Sequence, residues 1–92
     1  MKLLFCKNCN DVFRIQVERE RICQCGKTRG QYHDDDWNAW YKGKEAIPLG
    51  FANSTFVSAL ANQPETGWGK EFTAFVIQRE CKTFENRTHE DN

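Results

Sequence analysis

Ninety-two residues make one domain, or one domain with a small appended module. The 39% apolar share is too high for a disordered chain, and no apolar run nears the ~18 residues of a membrane span. Charge balances overall, yet residues 1–30 hold seven Lys/Arg against three Asp/Glu, a net +4 offset by −4 beyond. That asymmetry is either a basic face for phosphate or an acidic partner, or a solvated surface of uneven charge.

The start, Met1-Lys2-Leu3-Leu4-Phe5, imitates a secretion signal for a few residues and then meets cysteine. Without a long apolar stretch or a cleavage site it points to a cytoplasmic protein. Five cysteines follow, four of them grouped as Cys6-x-x-Cys9 and Cys23-x-Cys25, with Cys81 alone. Disulfides within such short pairs would close strained loops and brace little of the fold. Two close pairs with a hairpin's length between them fit a four-thiolate zinc site, each tight turn giving two thiolates to tetrahedral Zn²⁺. An iron site and redox or unliganded thiols are the alternatives. Asn10 and Gly26 each follow a pair, and both types accept the left-handed backbone that metal-holding turns require.

Between the pairs, Phe13, Ile15 and Val17 alternate with Arg14, Gln16 and Glu18, the period of a half-buried strand. Strands are expected at about 12–17 and 21–23, joined by the polar turn 18–21, with a third starting near Gly30. This arrangement resembles a zinc ribbon over the first third of the chain, although its second pair is one residue shorter than the usual Cys-x-x-Cys.

Tyr32-His33-Asp34-Asp35-Asp36-Trp37 is expected as a solvated hairpin turn rather than a catalytic cluster, since acidic sites normally assemble from separated elements. Trp37, Trp40 and Tyr41 are either a stacking platform or core. Pro48 and Gly50 mark a bend, and Asn53-Ser54-Thr55 offers helix caps. Phe56, Val57, Leu60 and Ala61 share a helical face, which predicts a short helix at about 55–62, stopped by Pro64. Trp68 lies in an exposed glycine loop. Phe72–Ile77 is apolar on both faces except for Thr73, so a strand covered on both sides is expected. Cys81 is expected as a buried or half-buried thiol outside the metal site, and residues 86–92 as a tail.

The chain as a whole is also similar to a family of small, uncharacterised bacterial and bacteriophage proteins with an N-terminal zinc ribbon. The likeness rests on Cys6–Phe13, Cys23–Gly26, Gly30–Tyr32 and Ile47–Ser54. It implies a metal site and a microbial or phage origin, with the host cytoplasm as the location in the phage case, and no reaction.

The expected architecture is therefore β-rich α+β. A zinc ribbon (1–30) packs as one unit on a small antiparallel sheet with one helix (31–85), whose core is Trp40, Phe51, Phe56, Leu60, Phe72 and Val76. The expected function is a non-enzymatic zinc-ribbon interaction module that binds a protein partner, in the manner of a phage or mobile-element regulatory or host-directed factor. Nucleic acid would be met by Lys7, Arg14, Arg19, Arg21, Lys27 and Arg29. A small molecule or nucleotide would use the Gly50–Thr55 bend, with Trp37, Asn53, Ser54 and Trp68 as contacts for ligand or partner.

Overall fold

The computed structural model describes residues 1–90. Its strands form two four-stranded sheets. In the first sheet, β1 (Lys2–Cys6) lies between β2 (Val12–Arg14) and β6 (Ala46–Phe51), and β7 (Ala74–Val76) forms the far edge, all antiparallel. The second runs β3 (Arg21–Ile22), β4 (Arg29–Tyr32), β5 (Ala39–Lys42) and β8 (Phe84–Asn86), with β8 parallel to β5. One helix, α1 (Asn53–Ala61), follows β6. The β-rich α+β class with a single short helix is as expected.

Register assigns the faces. Leu4, Cys6 and Phe13 of the first sheet share one core with Tyr32, Ala39, Tyr41 and Phe84 of the second. Fully buried Ile15 joins them from the chain just beyond β2. Each large side chain so buried contributes roughly 1.5–3 kcal/mol. Tyr41 and Phe84 meet edge-on, ring centroids 4.9 Å apart. Gly30 allows the sheets to approach: a Cβ there would fall 2.7 Å from the Trp40 carbonyl oxygen and 2.8 Å from Leu4 Cδ1. The Lys2 backbone N–H also donates to the Tyr32 hydroxyl across the two sheets, at 2.9 Å.

Several sequence expectations are corrected. The segment between the cysteine pairs is not a hairpin, because β2 pairs with β1 and β3 with β4. The expected strands at 12–17 and 21–23 shorten to 12–14 and 21–22. Sheet packing, rather than a hairpin, unites the metal turns. β1 was not anticipated. Leu3 and Leu4 are both buried, so the strand lacks the alternation that marks one with a wet face.

Pro48 lies within β6, where a bend was expected. Its carbonyl accepts the Ile77 N–H at 2.8 Å, so its ring nitrogen faces the same neighbour just past the end of β7. The missing donor thus falls where the ladder is ending.

The predicted core of the second half is largely outside the true one. Leu60, Phe72 and Val76 are exposed, while Trp40, Phe51 and Phe56 are half-buried. Phe51, Phe56 and Phe72 form a small aromatic cluster, centroids 5.0–5.2 Å apart. The helix starts at Asn53 rather than 55, ends at Ala61, and has no fully buried residue. Its N-cap is Ala52, without a side-chain cap. β7 is exposed at all three positions, because it is an edge strand and nothing in the described chain covers it.

The tail expected from Asn86 is in part built into the fold. Asn86 ends β8, the Arg87 N–H donates to the Tyr41 carbonyl at 2.8 Å, and the Gly43 N–H donates to Thr88 Oγ1 at 3.0 Å. The rest of that stretch, 91–92, lies outside the described residues.

Candidate metal centre

The first cysteine turn connects β1 to β2. The Asn10 N–H donates to the Cys6 carbonyl at 2.7 Å, and Asn10 takes φ 62°, the left-handed value anticipated for it. The second turn connects β3 to β4. Here the Gly26 N–H donates to the Cys23 carbonyl at 3.1 Å, and Gly26 takes φ 81°. Both turns bend the backbone so that two sulfurs point one way.

The result is one cluster. The sulfurs of Cys6, Cys9, Cys23 and Cys25 all lie within 4.8 Å of one another, Cys6–Cys25 at 3.7 Å and Cys23–Cys25 at 3.5 Å. The shorter Cys-x-Cys pair therefore still brings both its sulfurs into the group. Cys6 and Cys23 are buried, Cys9 is half-buried and Cys25 is exposed.

The surroundings favour thiolates at particular positions. The Thr28 N–H donates to Cys23 Sγ at 3.3 Å. The Cys25 thiol is lowered to about 6, chiefly by the Asn8 side chain and then by the Lys27 backbone N–H. Burial pushes Cys6 up, but Thr28 and the backbone of Cys9 and Asn8 outweigh it and leave the thiol lowered. Burial raises Cys9. Thr28 Oγ1 is buried without a hydrogen-bond partner inside normal range, yet it faces the Cys6 sulfur closely enough to favour its thiolate. A permanently ionised Cys6, as metal ligation would make it, supplies the acceptor that this hydroxyl lacks. The four residues thus fit a metal ion.

Cys81 is half-buried outside the cluster, its sulfur 3.4 Å from Thr83 Oγ1, and that contact lowers its thiol.

The other anticipated site residues scatter. Lys7 and Lys27 are exposed at the two metal turns, and Lys7 lies 3.8 Å from Glu45. Arg14 pairs with Leu3 on the outer face of the first sheet, while Arg29 is on the second sheet and bridges to Glu20 at 3.2 Å. Arg19 is exposed in a turn, and Arg21 begins β3. These six cations share no single face. Trp37 and Asn53 do meet, at a cavity of about 480 Å³ that also involves Lys2, Phe51 and Cys81. Lys2 Nζ bonds the Trp37 carbonyl and sits 4.8 Å from the ring centroid, so the cation occupies one ring face while Trp37 stays 65% exposed and outside the core. Ser54 lines a separate hollow with Ser58 and Lys70, and Trp68 is wholly exposed. The Asp run is the hairpin turn expected: Asp36 takes φ 55°, and Asp35 accepts from the Trp37 and Asn38 N–H groups.

No protein-family model, curated protein or solved structure matches the chain. The metal turns therefore stand on their geometry, and the likeness to small bacterial and bacteriophage proteins gains no support.

No helix among the described residues is long and apolar enough to cross a membrane. Sequence reasoning overlooked Thr28 and Asp11 beside the metal turns. Asp11 Oδ2 accepts the Gln24 N–H at 3.1 Å. Neither falls within a cysteine pair or joins the four-sulfur cluster, so the ligand spacing did not point to them.

Proposed function

We propose that the chain is a zinc-held, non-enzymatic module that docks a protein partner through the outer face of its first sheet. Four soft thiolates in a small cluster suit Zn²⁺ above hard cations. Zn–S bonds of about 2.3 Å in a tetrahedron imply sulfurs about 3.8 Å apart, which agrees with the 3.5 and 3.7 Å separations.

The observation that carries the docking reading is the apolar character of that face. Register places Val12, Phe5, Ile47, Leu49 and Val76 on it around a buried Leu3, with Arg14 at its edge, while the second sheet packs on the other side. Val12 is 51% exposed and Val76 69%. Contiguous apolar surface of this kind on a small protein marks interaction sites. The dispersed cations favour a protein over nucleic acid as the partner.

The test is affinity capture from the native host with wild-type chain and with Val12→Arg, which puts a charge on the exposed face while keeping all four cysteines and Asp11. A protein held by the wild type should be retained at least tenfold less by the variant, with zinc content unchanged. Equal capture by both, or nucleic-acid binding tighter than micromolar at physiological salt, would overturn the reading.

A second reading is favoured by the cavity where β6 runs into α1, in place of the expected Gly50–Thr55 bend. Its apolar walls and the Lys2 ammonium suit a small amphiphilic anion. Quenching of Trp37 fluorescence by such a ligand, abolished in Lys2→Ala, is the outcome that supports it.

A further inference from the structure

We infer that a second copy of this chain pairs with the free edge of β7. The two β7 strands run antiparallel about Phe75 and join two four-stranded sheets into one. This is independent of the docking reading, because it uses the edge of the sheet and leaves the face open.

The edge is unprotected. Thr73 and Ile77 turn their backbone groups towards β6, the Thr73 carbonyl accepting from Ala52 and the Ile77 N–H donating to Pro48, each at 2.8 Å. Strand alternation then directs the N–H and C=O groups of Ala74 and Val76 outward. Edge strands are usually blunted by charge, proline or a bulge. Phe72–Ile77 contains neither charge nor proline. Every residue from Leu60 to Val76 is exposed, including Trp68, Phe72 and Phe75.

The sequence around this edge is complementary to itself. A two-fold axis at Phe75 sets Ala74 against Val76 of the partner subunit, so the outward groups of each meet and exchange both bonds. Beyond the three residues of β7, the same register brings Glu71 opposite Arg79 of the partner subunit, where the chain bends, and Lys70, which donates to Ser58 Oγ of its own chain, opposite Glu80 of the partner subunit. Among the described residues, Glu71, Arg79 and Glu80 have no opposite-charge partner within the chain. Shifting the register by two residues one way sets Lys70 against Lys82, and the other way sets Glu71 against Ile77. A shift by one turns outward groups against inward ones. Only the register centred on Phe75 satisfies both backbone and charge.

The surface has room for such an interface. The chain exposes 6627 Å², whereas a compact monomer of 10.8 kDa exposes about 5,500 Å². The excess, roughly 1,000 Å², is surface that a monomeric fold of this mass usually covers. The extents, 49 × 29 × 24 Å, describe the same elongated shape.

Sedimentation of the metal-loaded chain over a concentration series tests this, with three variants. Wild type should sediment as a dimer at the upper concentrations. Val76→Pro removes an outward N–H and should abolish the dimer. Arg79→Glu sets like charges opposite each other twice and should weaken it about tenfold. The exchange Glu71→Arg with Arg79→Glu restores the pairing and should restore the dimer, which a folding defect would not. A wild type that stays monomeric throughout overturns the inference, as does a dimer indifferent to Arg79→Glu and Val76→Pro. Failure of the charge exchange to rescue overturns the register and with it the proposal.

Discussion

The Asp11 carboxylate accepts a hydrogen bond from the Gln24 N–H at 3.1 Å, tying the first cysteine turn to the second. Neither residue is a ligand, yet the bond fixes how the two pairs of sulfurs face each other. Partners of this kind typically account for 10–100-fold of metal affinity. Asp11→Ala should lower zinc affinity by about tenfold or more without changing the one-ion stoichiometry, and Asp11→Asn should lose less. Competition with a chromogenic chelator measures both.

Loss of the metal should be structural in its effect. Structural zinc supplies ~10–16 kcal/mol of apparent binding energy, against a net stability of ~5–15 kcal/mol for a domain. Chelation, or Cys9→Ser, should therefore unfold at least residues 1–30, seen as lost amide dispersion. Cys81→Ser should keep one zinc per chain by elemental analysis, since Cys81 lies outside the cluster.

The β4–β5 turn should loosen in acid. Hydrogen bonds from the Trp37 backbone, then from the Asn38 side chain and backbone, hold the Asp35 carboxyl below its ordinary 3.8. A depressed carboxyl contributes stability that is fully present above the unfolded value and is lost as pH falls through the lower folded one. The Trp37 and Asn38 amide resonances should thus be constant above about pH 5 and shift together below 3.8. Asp35→Ala should remove that shift.

Gly30→Ala should destabilise the chain by about 1–3 kcal/mol, the usual cost of overpacking a core. The new methyl would meet the Trp40 carbonyl and Leu4 at under 3 Å, and the backbone side of that clash cannot rotate away. Thermal unfolding of the zinc-loaded protein measures the loss. Gly67→Ala is the contrasting case: its Cβ meets nothing within 4 Å, so any cost comes from its φ of 81° alone.

What the sequence revealed divides along a physical line. The cysteine turns were legible because their chemistry is local: ligand spacing, Asn10 and Gly26 all lie within a few residues. Strand partners were not, because β1 finds β6 and β5 finds β8 across long stretches of chain that no periodicity encodes. Leu3 and Leu4 gave no alternation because both are buried. Phe72–Ile77 shows a different limit. An apolar run states that a segment prefers cover without stating whose surface supplies it, and here the described chain leaves β7 bare.

The pairing of β1 with β6 also sets a timetable for biosynthesis. The strand that presents Cys6 is flanked by a partner some forty residues further along, at Ala46–Phe51. With translation at ~5–20 residues per second, the cysteines leave the ribosome seconds before that support exists. During this interval the four thiols are an unshielded nascent ligand set, open to copper, oxidants or one another. The complete four-sulfur cluster can therefore take its folded geometry only after Ala46–Phe51 has left the ribosome.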